Sequence, residues 1–204
     1  MSRDSPLSTD GRMTPSKPLR ADARRNRARI LAAAQEVFAE RGPSASTEEV
    51  AARAGVAIGT VFRHFPAKRD LLAAIMKDLR QRLVDRAEAL TSDGDPSTAF
   101  FDYFTYLVES SAEIGTVVGL LAEEGTSIEP GAQIMALAQT FGALLDAAQR
   151  AGAVRPDARL DEVMALVTAT AHGALAGSWS EDLRHRALSL VLDALRPRNP
   201  AHEL

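Results

Sequence analysis

An all-α fold follows from three features of this 204-residue chain. Apolar residues recur every three to four positions along most of it. Gly and Pro punctuate these runs at helix-length intervals. No stretch alternates apolar and polar residues as a half-buried strand does.

The elements can be taken in order. Residues 1–20 hold four Ser and three Pro with almost nothing apolar, and are read as a disordered tail. From Arg24, the residues Ile30, Leu31, Ala34, Val37 and Phe38 fall at helical spacing, until Gly42-Pro43 ends the run. Ser46-Thr-Glu-Glu49 then forms a capping-box pattern, in which the Ser46 hydroxyl caps a helix and Glu49 reaches back. Val50, Ala51 and Ala54 supply its apolar face, and Gly55 stops it. A third short helix is expected over 58–65. There Val61 and Phe65 lean on the core, while Thr60, Arg63 and His64 face outward. Pro66 opens a longer helix over 67–90.

A short capped helix, a glycine turn and a second short helix form the helix-turn-helix pattern, whose second helix enters the DNA major groove. Further helices are expected over 97–110, 112–122, 131–151, 158–177 and 181–195, with a loop at 125–131. Two units result: a DNA-binding domain at 21–66 and a helical domain at 67–204.

Charge agrees with this division. Residues 1–70 carry 13 Lys and Arg against 8 Asp and Glu; the remainder carries 11 against 19. A basic head on an acidic body fits nucleic-acid binding at one end. The absence of cysteine excludes disulfides and thiolate metal sites. The N-terminal segment lacks the apolar core of a signal peptide, and no apolar run is long enough to cross a bilayer, so a cytoplasmic protein with no membrane partner is expected. No nucleophile elbow, phosphate-cradling loop or metal-ligand pattern occurs, so neither an enzyme, a cofactor nor a metal is expected.

Residues 24–72 resemble the tetracycline-repressor (TetR) family of bacterial transcription regulators. The helix from Ile30 to Phe38, "STEEVAARAGV" and "IGTVFRHFPAKRDLL" carry the resemblance by their order and spacing. It implies three DNA-binding helices, a connecting helix and a bundle that binds ligand and dimerises. It places Thr47 near a phosphate at the start of the second helix. It puts Ile58, Gly59, Thr60, Phe62, Arg63 and His64 on the DNA side of the third, and Lys68 near phosphate at the start of the fourth. Two positions depart from the family pattern. Phe62 lacks the hydroxyl of the usual Tyr, and Ala57 cannot cap the third helix. Arg63 is the candidate base reader, since its fork pairs with guanine O6 and N7. Arg20, Arg24, Arg25, Arg27 and Arg29 are read as a flexible basic arm.

In the second domain, four of ten aromatic residues fall between Phe100 and Phe104. A small-molecule effector, apolar or aromatic, is therefore expected against Phe100, Tyr103, Phe104, Leu107, Ile134, Leu137 and Phe141. The last two helices have apolar arcs wider than one core contact needs. On them Leu166, Thr170, Gly173, Leu188, Leu192 and Leu195 are assigned to a homodimer interface, beside a second row of Leu183, Ala187, Leu190, Val191 and Ala194. His172 is read as structural, and Trp179 as packing at a helix corner. The expected function is a repressor that binds a near-palindromic double-stranded DNA operator as a homodimer and is released by a small molecule. The alternative is an activator, or a DNA-binding protein controlled by a protein partner.

Overall fold

A computed structural model describes residues 17–126, 130–177 and 179–197. Among these, eight α-helices occur in order, with no strand: α1 Lys17–Arg41, α2 Thr47–Ala54, α3 Ile58–His64, α4 Lys68–Asp93, α5 Ala99–Glu123, α6 Pro130–Arg150, α7 Leu160–Ala176 and α8 Glu181–Leu195. A 3₁₀ turn at Gly42–Ser44 joins α1 to α2. The helix ends obey local chemistry. Ser46 accepts the Glu49 N–H while Glu49 accepts the Ser46 N–H, completing the expected capping box. Asp70 accepts the Ala67 N–H at the start of α4, and Ser180 caps α8.

Two expectations need correction. First, α1 begins at Lys17, inside the stretch read as a disordered tail. Pro18 is tolerated there because first-turn N–H groups have no helical partner. Second, 97–110 and 112–122 are one continuous helix, α5. At the expected break the Ser111 hydroxyl donates to the Val108 carbonyl and the helix runs on.

The chain buries two apolar cores. One gathers α1, α2, α3, the first half of α4 as far as Leu79, and Val117, Leu120 and Leu121 of α5. The other gathers Leu83, Ala87 and Leu90 of α4, the first half of α5, and residues of α6, α7 and α8. Both α4 and α5 therefore run through both cores, and Ile114 is packed against each.

Candidate nucleic-acid interface

The core built from α1, α2 and the first half of α4 holds α3 by its inner face. Val61 and Phe65 are buried, as their spacing predicts. Before α3, Gly55 adopts φ 64°, a left-handed conformation open to glycine, and ends α2 with its N–H on Ala51 and Ala52 carbonyls. The α2 carbonyl end is completed from a distance. Arg29 of α1 donates from Nη2 to Ala54 O at 2.5 Å and to Gly55 O at 2.9 Å. This guanidinium satisfies carbonyls that the helix end leaves open and places positive charge at the negative end of the dipole.

Arg29 is therefore part of the turn, not of a flexible arm. Its neighbour Arg27 lies over the Phe65 ring, 5.2 Å from the centroid, and Arg25 pairs with Asp22. These arginines sit on a helix because α1 extends past them. Sequence inspection missed the role of Arg29, since its partner carbonyls lie 25 and 26 residues away. On the far side of α2, Arg53 bridges Glu36 at 3.0 Å and Glu40 at 2.8 Å. The hydrogen bond from Arg53 holds the Glu40 carboxyl below the usual range. Likewise the Ser46 N–H lowers Glu49.

The outer face of α3 is partly open to solvent. Ile58 and Phe62 are 36% and 44% exposed. Gly59 and Arg63 are exposed beside them, and Thr60 and His64 are half-buried. The His64 ring lies 6.3 Å from that of Phe65. Ala57 provides no side-chain cap, as its type requires. Thr47 is half-buried at the first position of α2. Lys68 opens α4, with Nζ donating to Pro43 O at 3.2 Å and lying 5.7 Å from the Phe38 ring centroid. One of its three N–H donors is thus engaged, which orients the ammonium at the edge of the head. A short helix held from behind, with an exposed face carrying one Arg and flanked by helix starts, is the geometry of a helix-turn-helix reader.

Comparison with known proteins agrees. Residues 30–75 match the family described as bacterial regulatory proteins, tetR family. Residues 95–197, half of the chain, match the description "Transcriptional regulator SbtR-like, C-terminal domain" within the same family. The chain belongs to the TetR family of transcriptional regulators. A TetR regulatory protein from Mycobacterium vanbaalenii is 38% identical; the alignment covers 88% of this chain and 100% of that one, with a TM-score of 0.71. The HTH-type transcriptional regulator UidR of Escherichia coli strain K12 is 28% identical over 182 residues, 83% of this chain and 89% of UidR. The HTH-type transcriptional repressor Rv3405c of Mycobacterium tuberculosis H37Rv is 49% identical over 57 residues, covering 28% of this chain and 30% of the repressor. Like its family, this chain is a DNA-binding transcription regulator and not an enzyme. Among the described residues, no helix is long and apolar enough to cross a membrane.

In the second domain of this TetR-family regulator, Phe100, Tyr103, Phe104 and Phe141 are completely buried and Leu107 is nearly so. The rings meet edge to face: Phe100 and Phe141 lie 5.3 Å apart at 85°. Ile134 and Leu137 belong to α6, but their side chains lie outside the described residues. Tyr103 donates to the Leu83 carbonyl of α4 at 3.3 Å, and burial, with a smaller contribution from Tyr106, pushes its phenol up to about 12.

The residues assigned to dimerisation are placed differently from expectation. Leu188 and Leu195 are 3% and 5% exposed, already covered by their own chain. Thr170 is buried with its hydroxyl on Leu166 O, and Leu166 and Leu192 pack half-buried against the same core. Gly173 is small for another reason. A β-carbon there would come 3.0 Å from the Trp179 ring, and one at Gly177 2.5 Å from it. Trp179 thus packs on the end of α7, as a corner residue should. The large apolar residues left exposed on α7 and α8 are Leu175, Leu183 and Leu190.

Proposed function

We propose that this regulator is a repressor that binds a near-palindromic operator as a homodimer and is released by a small, largely apolar effector. The exposed outer face of α3, held from behind by Val61 and Phe65, carries the reading. On this reading Arg63 reads a base, Thr47 and Lys68 meet phosphates, and Ile58, Gly59, Thr60, Phe62 and His64 line the contact. TetR-family members bind DNA as homodimers and respond to small molecules, and two matched relatives are named repressors. The pairing surface is the outer face of α8, where Leu183, Ala187, Leu190 and Ala194 recur at helical spacing. A two-fold dimer presents two copies of α3 at fixed spacing, so a shift in their separation weakens binding.

The effector site is the cluster of Phe100, Tyr103, Phe104, Leu107 and Phe141, with Ile134 and Leu137 on the same helix as Phe141. These rings close on one another, so an effector parts them. A groove of about 250 Å³ between α4 and α5, lined by Leu79, Leu83, Tyr106 and Glu109 among others, shares Leu83 with the cluster's core and gives an approach. Displacement there acts on α4 and α5, which continue into the head.

Operator binding at moderate salt tests the reading. Arg63→Ala is expected to weaken a selected site by about 1–3 kcal/mol, and Lys68→Ala to weaken all duplexes and lower the salt slope by about 1. An apolar ligand that raises the melting temperature and releases DNA is expected to do neither in Phe104→Ala. Parent-like DNA affinity in both head variants removes α3 as the reader.

A further inference from the structure

The outer face of α3 carries two apolar side chains around a glycine, and we infer that this notch reads thymine methyl groups in the major groove. The inference rests on the DNA-binding reading above. Ile58 and Phe62 are one helical turn apart, so their side chains stand in one row. Both are exposed, and the head core is closed without them by Val61 and Phe65. Gly59 lies between them. Its φ is not positive, and a β-carbon built on it meets no heavy atom within 4 Å. Neither the backbone nor packing within the protomer calls for glycine there, although glycine is poorer than alanine in a helix. The space it leaves faces outward. Gly59 leaves open space on the helix surface between the exposed residues Ile58 and Phe62, and Arg63, also exposed, follows Phe62 in the chain.

The chemistry of the major groove selects what fits. Base edges there present donors, acceptors and one apolar group, the C5-methyl of thymine. A donor or acceptor set against Ile58 and Phe62 loses water without gaining a partner. A methyl gains from the same contact. Phe62 has no hydroxyl and offers only its ring. Arg63, adjacent in the chain, suits guanine. The expected half-site therefore has one or two thymines beside a guanine.

The test uses the full chain and an operator selected from random duplex DNA. Each thymine of the half-site is replaced singly by deoxyuridine, which removes only the methyl. One or two positions are expected to lose about four-fold in affinity each. That loss disappears in Ile58→Ala or Phe62→Ala and persists in Phe62→Tyr. Gly59→Ala is expected to melt no lower than the parent yet bind about five-fold or more weakly, as for a lost base contact. Deoxyuridine tolerated at every position, or penalties unchanged in both alanine variants, overturns the inference while specific DNA binding stands. If selection enriches no sequence, the DNA-binding reading itself fails and the inference falls with it.

Discussion

At the scale of single residues, partners distant in sequence set the roles. Arg29 has the composition of an arm residue but caps α2 across the helix-turn-helix turn. Tyr103 was read as an effector contact, and it also ties α5 to a main-chain carbonyl of α4. Its raised phenol pKa makes a signed prediction. In the unfolded chain the phenol ionises near pH ~10; in the folded protein burial holds the proton up to about 12. Between these values only the unfolded state releases the proton, so stability is complete below pH ~10 and falls as pH rises toward 12. The stabilisation lost over that range is about 2–3 kcal/mol. In a Tyr106→Phe background, tyrosinate absorbance reports Tyr103 alone, since the chain has two tyrosines. Ionisation at an ordinary phenol pH in the folded protein would show that Tyr103 is not buried as described.

Among the elements, α5 changes the picture most. As two helices it would have left α4 as the sole link between head and body. As one helix of 25 residues it places Val117, Leu120 and Leu121 in the head core and Phe100 and Phe104 in the body core. Arg82 of α4 reinforces the seam by gripping both Glu113 oxygens of α5 at 2.9 Å, although an exposed pair contributes no more than about 1 kcal/mol. Head and body are therefore expected to unfold together. Leu121→Ala removes a buried head contact and should destabilise by about 2–5 kcal/mol, or roughly 5–15 °C at this chain length. Trp179 and both tyrosines lie in the body, so their fluorescence follows that half while far-ultraviolet dichroism follows all helices. Coincident transitions, both lowered in Leu121→Ala, are expected; a fluorescence midpoint left unmoved would show that α5 does not couple the two cores.

For the whole molecule, burial divides the last two helices into an inner and an outer row. Leu188 closes the protomer's core, whereas Leu190 is 73% exposed. Leu190→Glu should therefore leave helix content intact and give monomers by sedimentation. Leu188→Glu should unfold the chain, because it puts an unpaired carboxylate into the core. A Leu190→Glu protein that remains dimeric would move the pairing surface elsewhere.

The sequence by itself determined the all-α class, the cap at Ser46, the Gly55 turn and the inward set of α3. Each depends on residues within about one helical turn, where periodicity and capping act directly. Periodicity also turned Thr60, Arg63 and His64 away from Val61 and Phe65, and of these the structure exposes Arg63 and half-buries the other two; Ile58, Gly59 and Phe62 were assigned to the DNA side by the family resemblance. Only the tertiary structure decided that α5 is continuous, that Arg29 is a cap, and that Gly173 is small for Trp179. It alone showed which of two apolar rows on α8 the protomer had already covered. Those outcomes depend on residues brought together from 25 or more positions apart, on packing that overrides a local break, or, for Gly173, on the chain folding Trp179 back over the end of α7; and a wide apolar arc has the same period whichever side faces the core.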